Sequence, residues 1–311
     1  MTNNCDLEKV RPPAILVTGV PRSGTTWLAR LLATAPGTAM TGREPMNPGA
    51  RQYSLGGTLE GWSRLQQPSP RQKRALRSAY RGVNPFVYSR YGRRQWAAPF
   101  SRTRLIMKDP FAMLSISAIR RVTRARAILI YRHPGAVLAS YRRMGWAPDL
   151  DQIVPILRQH PDQTGDLDLA HIGLGRTSSE AAEMGLFWAG LHSLALGDVA
   201  TTDTIVLAHD EIAAKGADAA HRLFDELGLC WNASSAREFS SDGRGQGGGP
   251  TPASQSSGHT LHHFDRAPAA VAHAWREQLT RDELVEIEEV AGPTLARLDA
   301  ARFRLHGEES P

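Results

Sequence analysis

The sequence predicts an α/β fold in which a central parallel sheet is flanked by helices. Short apolar runs recur along the chain, and helix-like segments fill the intervals between them. The run Ala127-Ile128-Leu129-Ile130-Tyr131 is apolar on both faces, as a strand in the middle of a parallel sheet must be. Residues with distinctive polar chemistry follow directly after several of these runs. Alternation of this kind implies right-handed crossovers and a ligand crevice at the C-terminal ends of the strands.

In chain order, Ala14 to Thr18 reads as the first strand, Gly19-Val20-Pro21-Arg22-Ser23-Gly24-Thr25-Thr26 as a tight loop, and Trp27 to about Ala35 as a helix. Thr38-Ala39-Met40 is a short second strand that ends at Gly42-Arg43-Glu44-Pro45. From Asn47 to about Arg102, Gly, Pro, Gln, Arg and scattered aromatics break the pattern, and short helices over the mouth of the sheet are expected. Leu105-Ile106-Met107 is the third strand, followed by a helix from Ala112 to Val122. After the fourth strand, Pro134 opens a helix to about Arg143, a position where its missing N–H costs nothing.

Trp146 to Ser179 carries six Pro and Gly residues with little periodicity and reads as an irregular acceptor-side loop. Glu180 to Gly197 places Met184, Phe187, Leu191 and Leu194 at helical spacing and is expected to be amphipathic. Thr204 to Ala208 is the last strand, and Ala219 to Leu227 a helix closed by Gly228. Ser240 to Gly258 is dominated by Gly, Ser, Pro and Gln and reads as a flexible loop, after which Glu277 to Leu298 returns as a helix pair.

With 311 residues and 41% hydrophobic content, the chain can bury a large core. One domain over 1–311 is expected, with 47–102 and 146–179 as acceptor-side insertions, 240–266 as a flexible loop and 267–305 as C-terminal helices. No run of eighteen apolar residues occurs and Met1 to Pro13 is polar, so neither a membrane span nor a secretory signal is expected. Cys5 and Cys230 make no disulfide framework and read as two unpaired thiols; a cytoplasmic location is the expectation.

The net charge of +6 is unevenly spread: Arg64 to Arg104 holds eleven Arg or Lys and no Asp or Glu, which leaves the remainder about five units acidic. Such a block is an attractor for an anionic ligand or acceptor, a solvated face, or a nucleic-acid patch. No nucleic-acid motif accompanies it, and nucleic acid is not expected as a partner.

The loop after the first strand is an anion cradle. Its glycines remove Cβ where the backbone turns, and the next helix aims its positive N-terminus at the same point. Against the nucleotide P-loop pattern it matches Gly19, Gly24 and Thr26 but has Thr25 in place of the lysine. That lysine reaches the β- and γ-phosphates of a nucleoside triphosphate, so the loop suits a phosphate-like group other than that of ATP or GTP.

Pro21-Arg22-Ser23-Gly24-Thr25-Thr26-Trp27 resembles the 5′-phosphosulfate loop of the sulfotransferases that use 3′-phosphoadenosine 5′-phosphosulfate (PAPS). Lys108-Asp109-Pro110-Phe111 and the stretch from Tyr131-Arg132-His133-Pro134 to Ser140 follow in the order seen in that superfamily. The first two motifs together resemble its protein-tyrosine and glycan branch and the bacterial relatives, over roughly Ala14 to Leu229. The resemblance implies a P-loop NTPase-like three-layer fold and transfer of a sulfuryl group from PAPS to a hydroxyl of a small-molecule, glycan or lipid acceptor, releasing PAP.

The resemblance further implies that Arg22, Ser23, Gly24, Thr25, Thr26 and Trp27 hold the 5′ end of the donor and that Arg132 and Ser140 hold its 3′-phosphate. An arginine fork can meet two phosphate oxygens at once, and a serine hydroxyl can add to it. Sulfuryl transfer has a loose in-line transition state, so cations do most of the work, and Arg22 and Lys108 are the candidates. Glu44 is the candidate base, one residue out of the family's spacing, with His133, His160 and Asp109 as alternatives. The cytosolic branch has an Arg-Lys-Gly element in a closing flap where this chain offers only Ser257-Gly258 and Arg266. His259, His262 and His263 lack a fourth ligand at suitable spacing, and no metal is expected. A kinase or a non-catalytic nucleotide-binding module are the other readings; oligomeric state is not legible.

Overall fold

The computed structural model describes residues 11–50, 54–165, 167, 179–240 and 274–305. Five strands, β1 (Ile15–Thr18), β2 (Thr38–Met40), β3 (Arg104–Lys108), β4 (Arg126–Tyr131) and β5 (Thr204–Ala208), pair in parallel in the order β2-β3-β1-β4-β5. The register sets Val17 opposite both Lys108 and Ile128, and Tyr131 opposite Ala208. The loop after β1 therefore leaves the middle of the sheet, with the ends of β3 and β4 on either side.

The period of two along each strand divides the core. Leu16, Met107 and Leu129 point into one buried cluster, while Ile15, Val17, Ile106, Ile128 and Ile130 point into the other. Helices cover both faces: α1 (Thr25–Leu32), α2 (Pro70–Tyr80), α3 (Ile116–Thr123), α4 (Pro134–Met144), α5 (Leu150–Arg158), α6 (Pro161–Thr164), α7 (Glu180–Val199), α8 (His209–Lys215), α9 (Ala217–Leu227), α10 (Ala233–Ser240) and α11 (Arg281–Ala300). The first cluster is closed by α3, α4, α7 and α11, the second by α1, α9 and α10. The architecture is the expected α/β fold, a central parallel sheet between two helical layers.

Several local expectations are corrected. The stretch 146–179 is not irregular throughout: α5 starts from an Asp149 cap, α6 follows, and both pack on α7. That packing also makes α7 buried on nearly every side instead of amphipathic, because Gly190 lets Leu157 approach while Gly185 faces Val290 of α11. Glu277 to Leu298 is a short 3-10 turn and one long helix, held at its start by a Thr280–Glu283 capping box. The insertion 47–102 forms short helical turns plus α2, which lies against α3. Cys230 is disulfide-bonded, which corrects the expectation of two unpaired thiols. Among the described residues, no helix is long and apolar enough to cross a membrane.

Arg64 fastens the insertion to the sheet's helical layer. Its guanidinium donates to Leu114 O at 3.0 Å, Leu194 O at 3.2 Å, Gln163 Oε1 at 3.1 Å and Asp198 Oδ1 at 2.9 Å. Asp198 Oδ2 also accepts from Ser117 N at 2.9 Å. Burial nevertheless outweighs these partners and pushes the Asp198 carboxyl up, so the pair fixes geometry more than it adds net stability. Removing one side is a different matter. Arg64→Ala should lower the unfolding free energy by about 3–5 kcal/mol in urea titration, because it strands the buried Asp198 carboxylate and three further acceptors.

Candidate functional site

The loop between β1 and α1 has a backbone that side chains would block. Gly19 has φ +151, and a Cβ there would lie 2.0 Å from Ile130 O on β4. Gly24, the N-terminal cap of α1, has φ +92, and its Cβ would lie 2.4 Å from His209 Cδ2. Between them Arg22 is itself left-handed at φ 77, and Ser23 N closes the turn on Val20 O at 3.0 Å. The start of α1 carries neither a side-chain cap nor an acidic residue. Its positive end is thus left for an anion. Ser23 is fully buried, and its Oγ has no hydrogen-bond partner among the described residues. Thr25 is buried and Thr26 half-buried in the first turn of α1, beside Trp27.

On the β3 side, Lys108 Nζ is ion-paired with Glu44 Oε1, and both side chains are mostly buried. Asn47 Nδ2 donates to the other Glu44 oxygen at 2.5 Å. Asp109 organises this half. Its N–H reaches Val17 O at 3.0 Å, and its Oδ2 accepts from Met46 N at 2.7 Å, so the segment bearing Glu44 is stitched to the strand bearing Lys108. Burial first, then the neighbouring Glu44 charge, push the Asp109 carboxyl well above its ordinary value.

On the β4 side, Arg132 follows the strand and is nearly buried, its Nε 3.6 Å from Asp210 Oδ1. Burial lowers its pKa, with Asp210 opposing. Burial pushes the Asp210 carboxyl up, but His209 and the Arg132 charge outweigh it and hold it below its ordinary value. His209 Nδ1 lies 3.0 Å from Asp210 Oδ1, and the imidazole meets Trp27 edge-on at 5.5 Å. One buried histidine therefore links Gly24, Trp27 and the carboxylate that faces Arg132. Across the crevice, Arg22 Nε donates to Ser140 Oγ on α4 at 3.0 Å, joining the loop to the Arg132 side.

Arg22 to Trp27, Glu44, Lys108, Arg132 and Ser140 follow the strands at this end of the sheet, and the structure brings together Glu44 with Lys108 and Arg22 with Ser140. The alternative bases do not stand in the same position. His133 caps α4, its Nδ1 accepting from Gly135 N at 3.1 Å, and its ring stacks on Trp275 at 4.5 Å. His160 opens α6 beside the Arg64 cluster. His209, Asp210 and Trp275 were missed by sequence reasoning. The signal for the first two was their place immediately after β5, the rule that found Lys108 and Arg132. Ser257, Gly258, Arg266 and the three histidines at 259, 262 and 263 lie outside the described residues.

Fold and site together define a P-loop-like α/β protein whose central glycine loop lies between two basic strand ends. The sulfotransferase family model matches residues 13–232, and the chain belongs to that family, which makes sulfuryl transfer its reaction class. Solved structures similar to it include the sulfotransferase domain from the curacin biosynthetic pathway, 13% identical over 89% of this chain and 96% of that one, with a TM-score of 0.46. Another is mouse sulfotransferase SULT7A1 complexed with PAP, 15% identical over 93% of this chain and 86% of that one, with a TM-score of 0.43. No curated protein sequence matches the chain.

The raised Asp109 carboxyl has a testable sign. Unfolded, it titrates near 3.8; folded, it titrates higher, so the native state binds the proton more tightly between the two values. Its contribution to stability is complete below 3.8 and is lost as pH rises through the folded value. Asp109→Asn keeps an acceptor for Met46 N but cannot ionise. Relative to wild type, its unfolding free energy should climb as pH is raised from 3.8, and urea titrations showing a pH-independent difference would contradict the assignment.

Proposed function

We propose that the chain transfers a sulfuryl group from PAPS to an acceptor hydroxyl, releasing PAP and a sulfate ester. The observation that carries this reading is the pair of basic subsites flanking one capless helix N-terminus: Lys108 beside β1 on one side, Arg132 and Ser140 on the other. A donor with a 5′-phosphosulfate and a separate 3′-phosphate needs two anion-binding points at a fixed separation. The partnerless buried Ser23 hydroxyl and the space that only glycine leaves at positions 19 and 24 fit the 5′ end.

PAPS supplies a sulfuryl group activated by its phosphate leaving group. The chain's own residues do the rest. Backbone N–H groups of 23–27 and the Arg22 guanidinium hold the phosphosulfate, and Arg132 with Ser140 holds the 3′ end. Glu44 accepts the proton of the acceptor hydroxyl as its oxygen bonds to sulfur and the bond from sulfur to the leaving oxygen breaks. Lys108 offsets the charge on that leaving oxygen and, by its ion pair, holds the Glu44 carboxylate in place. The acceptor is a small molecule, glycan or lipid bearing a hydroxyl.

Two measurements test the reading. In calorimetry PAP should bind more tightly than ADP, and Arg132→Ala should erase the difference, a loss of about 10- to 100-fold. Equal affinity of the wild type for both ligands would refute the 3′-phosphate assignment. In turnover with PAPS, Glu44→Gln should slow an alcohol acceptor by about 10²–10⁴-fold and a phenol of low pKa far less, while Lys108→Ala should slow both alike. A Gln variant with undiminished turnover on the alcohol would remove Glu44 as the base.

A further inference from the structure

We infer that the outer face of α2 and the turns after it form a docking surface for an anionic lipid bilayer. Among the described residues, five of the seven exposed large apolar side chains lie within 83–100: Val83, Phe86, Tyr91, Trp96 and Phe100. Trp96 is 73% exposed, more than any other. A protein surface that gathers its exposed aromatics into one short segment has a use for them. The same segment sits inside the stretch 64–104, where eleven cations occur with no acid.

The two sets of residues are neighbours in space. Lys73, Arg74 and Arg77 of α2, with Arg81 just after it and Val83, line one shallow basin of about 460 Å³. Gly82 packs against Ala98, 2.7 Å from the Ala98 Cβ to an ideal Cβ on the glycine, which brings the Val83 turn up to the turn that carries Trp96. Trp96 and Phe100 meet edge to face at 6.2 Å, and the Arg90 guanidinium lies 4.8 Å from the Tyr91 ring centre. The helix packed against α2, α3, carries Arg120 and Arg121 and no acidic residue. Not every cation of the block belongs to this surface. Arg93 pairs with Glu238, and Arg94 donates to Ala33 O and Ala35 O, so both are parts of the scaffold.

An anionic polymer would satisfy the cations but leave Val83, Phe86 and Phe100 in water. An ordinary protein partner would cover the apolar side chains but does not call for a stretch without a single acid. The headgroup layer of an anionic bilayer meets both demands, since aromatic rings settle at its apolar boundary while Lys and Arg stay with the phosphates. The position is also informative. Val87 O accepts from Gly42 N at 3.2 Å and Arg43 N at 2.9 Å, so the surface adjoins Glu44 at the sheet edge. This inference is independent of the donor reading, because it is tested by binding and not by turnover.

The experiment is co-sedimentation of the full chain with phosphatidylcholine vesicles with and without about 30% phosphatidylserine. The chain should partition onto the anionic vesicles, more weakly as salt rises, and not onto phosphatidylcholine alone. Arg74→Gln with Arg77→Gln should weaken partitioning about 25-fold, roughly fivefold per charge. Trp96→Ala with Phe100→Ala should weaken it about tenfold or more while leaving the salt dependence in place. Urea unfolding of each variant checks that the fold is kept. Failure to bind anionic vesicles, or binding indifferent to both pairs of substitutions, overturns the inference. So does retention on single-stranded DNA that depends on Trp96 and Phe100 and exceeds vesicle binding, or a dimer in light scattering that the Trp96→Ala, Phe100→Ala variant loses.

Discussion

The site depends on one steric constraint: the backbone after β1 must cross the ends of β4 and β5 with no room for side chains. Gly19 lies against the Ile130 carbonyl and Gly24 against the His209 ring, each at a distance no Cβ could occupy. Because the loop leaves the middle strand of the order β2-β3-β1-β4-β5, residues that follow β3 and β4 are brought to it without long side chains having to reach across the sheet. The helix dipole, the Ser23 hydroxyl and the flanking cations all acquire their positions from that crossing.

Concentrating cations in a half-buried crevice would destabilise the fold if each were left alone. Here each basic strand end has its own acid: Lys108 has Glu44, and Arg132 has Asp210. The acids are held in turn. Glu44 is fixed through Asn47 and through the Asp109 contact with Met46, and Asp210 through His209. Burial weakens the hold of Arg22 and Arg132 on their protons, yet an arginine keeps its charge far above neutral pH, so both remain cations. The arrangement keeps the charges in place while spreading their desolvation cost over pairs.

The parallel sheet and the residues directly after β1, β3 and β4 were legible because their signals are local: an apolar run, then a glycine loop or a basic residue. The roles expected of Glu44, Arg132 and Ser140 came from the family resemblance and not from position alone. What was not legible is how they are held. Asp109 reads as one more carboxylate after a strand, and only burial against Met46 N makes it a brace. His209 reads as a residue in an unremarked turn, since α8 is short and lacks a side-chain cap to announce it. The burial of α7 was misread for the same reason. Its Met184, Phe187, Leu191 and Leu194 stripe is real, but the opposite face packs on α11 at Gly185 and Ser193, and α5 and α6, hidden by their Pro and Gly content, cover the flank at Gly190 and Gly197.

His209 belongs to both halves of the crevice at once. Its ring sets the closest approach at Gly24 and packs edge-on to Trp27, while its Nδ1 faces the carboxylate that holds Arg132. Buried and lowered in pKa by that burial, it is a neutral spacer at neutral pH rather than a charge. A neutral ring adds no repulsion to an already basic crevice, and a planar ring packed on its neighbours does not change length as a flexible side chain would. The ring lies between Gly24 of the loop and Asp210, the carboxylate 3.6 Å from Arg132, so the loop and the arginine are spaced through packed side chains and not through a flexible one. Under the proposed reaction, His209 and Asp210 are positioning residues: they touch no ligand in that scheme but hold the arginine that would.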